Sequence, residues 1–208
     1  MRDMMQKFKQ LALAGLLMLL PVLSMAATSS PIDLLDKTAQ QMLEALKANK
    51  ASLQRNPHSV YSIVKRILLP HIDQETMARS VLGRDIWQSS TAAQHKRFIE
   101  EYTFLLVRTY SRALASYKDQ QVRFLPIRDG YEGKKFVQVN SLIVQKDGPS
   151  IPVSYRLRLV GDTWEIYDIS VDNVSMVQSY KAQFADKVAQ SGFEGLINSL
   201  TELNRTKK

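Results

Sequence analysis

The 208-residue chain contains no cysteine. That excludes disulfides, thiolate nucleophiles and zinc–sulfur centres. Histidine is scarce, with only His58, His71 and His95. His58 falls in the first turn of a helical pattern, and His95 shares a polar side with Lys96. His71 and Asp73 would supply two of three metal ligands, with no further histidine nearby. No Gly-rich phosphate loop, Gly-x-Ser-x-Gly elbow or paired-histidine motif occurs. Ser170, Asp168 and His95 form a triad in composition only, as any chain of this length allows. Internal repeats, low-complexity stretches and long linkers are missing too. Beyond the first two dozen residues no apolar run approaches the roughly 20 residues of a membrane span.

What is present starts at the N-terminus. "MRDMMQKFKQ" is a short basic lead, with Arg2, Lys7 and Lys9 against Asp3. The thirteen-residue apolar run "LALAGLLMLLPVL" follows, and then "SMAA", which places Ser24 and Ala26 at the −3 and −1 positions of a cleavage site. Basic head, apolar core and small-residue exit predict a signal peptide over residues 1–26, cleaved to leave one exported domain over 27–208, with an uncleaved N-terminal anchor as the alternative. The periplasm is the simplest address, since no lipobox cysteine is available for acylation. The formal charge is +8, and residues 1–26 carry a net two of it. An exported basic protein does not meet nucleic acid. Its electrostatic partners would be anionic lipid headgroups or acidic protein faces.

The mature chain changes period halfway. "SPIDLLDKTAQQMLEALKANK" opens with Ser30 as a cap and Pro31 at the first helical position. Helical spacing continues through "NPHSVYSIVKRILLPHID", "DQETMARSVLG" and the long "STAAQHKRFIEEYTFLLVRTYSRALASY". "QVRFLPIRD", "KKFVQVNSLIVQK", "IPVSYRLRLV" and "TWEIYDISV" then read as strands joined by short turns, which predicts an antiparallel meander. Two helices close the chain, "VSMVQSYKAQFADKVAQSG" and "FEGLINSLTELN". The layout is α+β: several helices packed on a strongly curved four-stranded antiparallel sheet, whose concave side can leave a cone-like apolar pocket.

The apolar inventory outweighs the catalytic one. One strand face offers Val153, Tyr155, Leu157 and Leu159; the preceding strand adds Val137 and Val139, and the following one Trp164 and Ile166. Facing helices add Phe98, Leu105, Leu106, Tyr110, Met176, Val177 and Tyr180. Such stripes are the material of an ordinary core or of a greasy cavity lining. Lys134, Arg156 and Arg158 are candidates for a phosphate-tolerant mouth or a partner surface. Asp168, beside Tyr167 in an otherwise apolar strand, is either a general base or a carboxylate hydrogen-bonded at a strand end. An exported enzyme using the same pocket, and a pocketless envelope interaction module, stay open as alternatives.

Four segments carry a family likeness: Gly83-Arg84-x-x-Trp87, "FLLVRTYSRAL", "YDISVDNVSMVQSYKAQF" and "GFEGLINSL". In this order, behind a signal peptide, they resemble the MlaC family, also known as toluene-tolerance Ttg-type proteins, over about residues 31–203. The resemblance implies helices on a curved sheet with a deep apolar pocket. It implies a monomeric, non-enzymatic carrier with phospholipid as cargo, no cofactor and no metal. Its partners would be an outer-membrane lipoprotein–porin complex and an inner-membrane ABC transporter with an MCE-domain ring, and its task the maintenance of outer-membrane lipid asymmetry.

Overall fold

The computed structural model describes residues 29–116, 119–146 and 148–205. The predicted signal peptide, residues 1–26, lies outside the described residues. Helix α1, Pro31–Ala48, begins where predicted: the Ser30 hydroxyl accepts from the Asp33 N–H and Pro31 occupies the first position. After the short α2, Lys50–Arg55, a 3-10 turn at Pro57–Ser59 leads into α3, Val60–Ile67. A second 3-10 turn at Leu69–His71 places Ile72 beside the sheet. Helix α4, Gln74–Leu82, is capped by Asp73, and α5, Arg84–Ser89, follows a sharp redirection at Gly83, whose φ of 82° suits a residue without a Cβ. The longest unbroken helix, α6, Ala92–Ala115, starts with a reciprocal capping box between Thr91 and Gln94.

Five antiparallel strands follow in spatial order β1-β2-β3-β4-β5: Gln121–Phe124, Phe136–Val144, Ile151–Val160, Thr163–Val171 and Val174–Ser175. The meander is as predicted, with two differences. The first strand stops at Phe124 rather than reaching residue 129, because Pro126 has no N–H for the ladder. A fifth strand precedes the last helix: Asp172 and Asn173 both take positive φ (51° and 63°), forming a two-residue hairpin turn that folds Val174–Ser175 back on Ser170–Val171. Helix α7, Met176–Arg205, is interrupted at Gly192 (φ 70°), where the sequence predicted one helix ending and another starting.

Alternation sets the faces of the sheet. Val137, Val139 and Ser141 on β2 lie level with Leu157, Tyr155 and Val153 on β3, and these with Ile166, Ile169 and Val171 on β4. Between Ile166 and Asp168 the register slips, so that Tyr167 is an extra residue opposite the Arg156–Leu157 step.

The apolar residues gather in three clusters. One is wholly helical, from α4, α6 and α7, and centres on Phe98, Tyr102 and Phe184. Another joins α1, α2, α3 and α6 through Met42, Leu53, Val60 and Val107. The third is the inner face of the sheet under Leu35 of α1.

Candidate apolar binding site

The inner face of the sheet differs from the two helical clusters in how it is covered. Seven of its residues are buried together with Leu35 of α1, and twelve more apolar residues of the face and its roof keep part of their surface in solvent. The proportion is reversed in the α4–α6–α7 cluster, where thirteen are buried and eight are partly so. The sheet face is roofed by Ile32, Leu34 and Leu35 of α1, by Leu68 and Ile72, by Ile127 and Tyr131 from the β1–β2 connection, and by Met176. Such a roof leaves apolar surface accessible around its rim, a place where further hydrocarbon can be buried.

The candidate lining residues divide accordingly. Val137, Val139, Val153, Tyr155, Leu157, Leu159, Trp164, Ile166 and Met176 are together on or against this face. Val139, Leu157 and Ile166 are fully sealed and Trp164 nearly so, whereas Tyr155, Leu159 and Met176 remain half-buried. Phe98, Leu105, Leu106 and Val177 lie instead in the helical cluster. Phe98 stacks on Tyr102 and meets Phe184 edge-on. Tyr180 joins that aromatic group through Tyr102, and half-buried Tyr110 lies on the same helix as Phe98. The long helix therefore packs its stripe on α4 and α7, not across the sheet.

Polar atoms on the sheet face are few. Trp164 Nε1 is buried without a hydrogen-bond partner among the described residues, and buried Ser141 Oγ has the Tyr155 hydroxyl beside it. Burial pushes the Tyr155 phenol above its ordinary value. A carboxylate base is not among them. Asp168, 2% exposed, accepts the Ser175 hydroxyl at 2.7 Å and the Val177 N–H at 3.2 Å, and so caps α7. The extra residue at Tyr167 is what brings it level with that helix end. Tyr167 itself stands beside Arg156, whose guanidinium carbon is 5.2 Å from the ring centroid. His95 stacks on Trp87 and hydrogen-bonds Ser90 Oγ at 2.9 Å, which leaves it out of any triad with Asp168. No group of three or more His, Asp or Glu among the described residues is placed to hold a metal ion.

The three candidate mouth cations have separate fates. Arg158 forms an ion pair with buried Asp73. Arg156 is exposed and lies over Tyr167. Lys134 lines a cleft of about 500 Å³ between the 125–129 segment and β2. That cleft also touches Ile127 and Val137, both members of the sheet-face cluster, and carries Arg128 on its wall. Periodicity does not single out Arg128, which lies in a stretch that alternates like a strand. The signal that it does not belong to one was Pro126. A larger cleft of about 710 Å³ runs between α3, α6 and the end of α7. Its wall is mixed, with Tyr61, Leu69 and Phe104 beside Glu101, which accepts from Asn204 Nδ2 at 2.6 Å and from Thr201 Oγ1 at 2.9 Å, and none of its lining residues belongs to the sheet-face cluster.

An α+β chain with a partly covered greasy sheet face and a basic cleft at its rim has the build of a protein that holds an apolar ligand. The MlaC protein family model matches residues 36–202, and the chain belongs to that family. It is 30% identical over 181 residues to toluene tolerance protein ttg2D of Pseudomonas putida, covering 86% of this chain and 83% of that one. It is 24% identical over 179 residues to the intermembrane phospholipid transport system binding protein MlaC of Haemophilus influenzae, covering 85% and 83%. Its fold is similar to that of a phospholipid-binding protein from Ralstonia solanacearum solved in complex with a phospholipid, with a TM-score of 0.79 and 26% identity over 86% of this chain and 98% of that one.

Proposed function

We propose that the protein is a periplasmic phospholipid carrier, exported by cleavage after Ala26 and folded as one domain over residues 27–208. The observation that carries this reading is the sheet-face cluster, which counting its roof leaves more apolar residues partly covered than sealed, in a chain whose fold matches that of a protein solved with phospholipid bound. Acyl tails lie against the rim residues Tyr155, Leu159, Phe124 and Tyr131. The headgroup stays at the cleft, where Lys134 and Arg128 meet its phosphate. An acyl chain of about 15 methylenes costs on the order of 12 kcal/mol in water. A lipid crossing an aqueous compartment therefore needs a dry container, and such a container needs no acid, base or metal.

Carriage runs between an outer-membrane lipoprotein–porin complex and an inner-membrane ABC transporter with an MCE-domain ring, and serves lipid asymmetry of the outer membrane. The protein acts as a monomer and does no chemistry on its cargo. Native mass spectrometry of protein recovered from periplasm tests the reading. The expected result is a mature mass starting at Ala27 with one or more phospholipid masses added. Protein that carries no lipid in any preparation, and takes none from vesicles, would overturn it.

A further inference from the structure

Strand β2 has an open edge at the cleft. Leu159 N donates to Lys135 O at 2.9 Å, so residue 135 directs its backbone toward β3. Successive residues of a strand direct their backbone groups to opposite edges. Residues 136, 138 and 140 therefore face the other way, and the Leu125 N to Asn140 O bond of 2.8 Å agrees. Pairing with β1 covers only Ser141–Val144. Beyond Leu125 the chain leaves the sheet at Pro126. The N–H and C=O of Phe136 and Gln138, with the N–H of Asn140, thus point into the 500 Å³ cleft with no backbone partner among the described residues. Five groups in a row over about 14 Å match an extended backbone of four or five residues.

Two more features select the occupant. Phe136 meets Tyr167 edge-on on the outer face, with ring centroids 6.1 Å apart, and at 61% exposure keeps surface for a side chain of an added strand. Arg128 and Lys134 line the cleft against the single carboxylate of Asp129, giving a net positive wall. We infer that β2 accepts, by strand addition at Phe136–Asn140, an extended acidic segment of a partner protein. The docking does not depend on what the apolar face holds. In one respect it deepens the proposed function and rests on it: a peptide carboxylate and a lipid phosphate would compete for Arg128 and Lys134, so docking would loosen the headgroup.

The test uses the mature protein and a hexapeptide alternating valine and glutamate, with a valine–glutamine hexapeptide as control. Amide hydrogen exchange is read at Phe136, Gln138 and Asn140. Saturating glutamate peptide is expected to slow all three at least tenfold, and the control peptide to bind at least fivefold more weakly. Gln138→Pro removes one cleft-facing donor without touching the β3 ladder and should weaken binding about tenfold. Should that variant fail to fold, Arg128→Glu with Lys134→Glu should abolish the preference for the acidic peptide. Amides already protected in the free protein, no added protection at millimolar peptide, or equal binding of both peptides would each overturn the inference. Repeating the titration on lipid-free and lipid-loaded protein separates the two ideas. If no lipid loads, the carrier reading fails while the docking result stands.

Discussion

Arg158 of β3 and Asp73, the cap of α4, form an ion pair that ties the sheet to the helical half of the molecule. Asp73 is 6% exposed and also accepts the Thr76 N–H at 2.9 Å, while its own N–H donates to Ile166 O at 2.8 Å. Sequence places Asp73 85 residues from Arg158, so this contact fixes how the two halves meet.

Removing the Asp73 carboxylate should therefore cost stability. Loss of a helix cap costs about 1 kcal/mol, and separating a partly buried ion pair adds to it. Arg158 is a third exposed and can rehydrate, so Asp73→Ala is expected to lose about 2 kcal/mol by urea unfolding at pH 7. Asp73→Asn keeps a cap acceptor and should lose about half as much.

The same carboxylate sets an acid limit. Burial pushes the Asp73 pKa up, but hydrogen bonds from Thr76 and Arg158 and the charge of Arg158 outweigh it, and the net shift is downward from 3.8. A group lowered in the folded state contributes stability above its unfolded value and loses it as pH falls through the folded one. Between pH 5 and pH 3 the wild type should lose more stability than Asp73→Ala. Parallel slopes for the two proteins in that window would contradict the assignment.

Asp168 gives a prediction that separates a structural carboxylate from a catalytic one. Asp168→Ala leaves the Val177 N–H and the Ser175 hydroxyl without their acceptor at the start of α7. The expected cost is about 2 kcal/mol. Lipid content per folded molecule should be unchanged for Asp168→Asn, which keeps an acceptor there. Loss of bound lipid at full stability would give Asp168 a role in the site instead.

Much of this architecture was legible in the chain. The alternation Val153-Tyr155-Leu157-Leu159 placed the inner face, and Ser30-Pro31 placed the start of α1. Periodicity reports that a face is covered but not by what. The stripe of Phe98, Leu105 and Leu106 reads equally well against a sheet or another helix, and the fold sends it to α4 and α7. Leu157 and Leu159 share one alternating face, yet only the roof of α1 and the 68–72 segment decides that the first is sealed and the second is not. Likewise Arg156 and Arg158 are both polar-face arginines of one strand. Their different fates depend on Tyr167 and Asp73, 11 and 85 residues away.

That difference between neighbours in register can be measured. Leu157 is fully buried, and Leu157→Trp should overpack the core and destabilise by about 1–3 kcal/mol. Leu159, half-buried at the rim, should accept the same substitution with little loss of melting temperature while reducing bound phospholipid at least twofold. Equal destabilisation by both, with lipid content untouched by Leu159→Trp, would mean that the rim is ordinary core.

The cleft cations carry the last prediction. Arg128 is exposed and Lys134 half-buried, and solvent-screened charge pairs contribute about 0.2–1 kcal/mol each. Replacing both by alanine should therefore weaken phosphatidylglycerol binding by about 1 kcal/mol, roughly fivefold. Diacylglycerol has the same tails and no phosphate, so its binding should not change. Raising the salt concentration should shrink the difference between wild type and variant, because the interaction is screened over about 8 Å at physiological ionic strength. Equal losses for both lipids would mean that the substitutions had disturbed the apolar wall at Ile127 and Val137 rather than removed a phosphate contact.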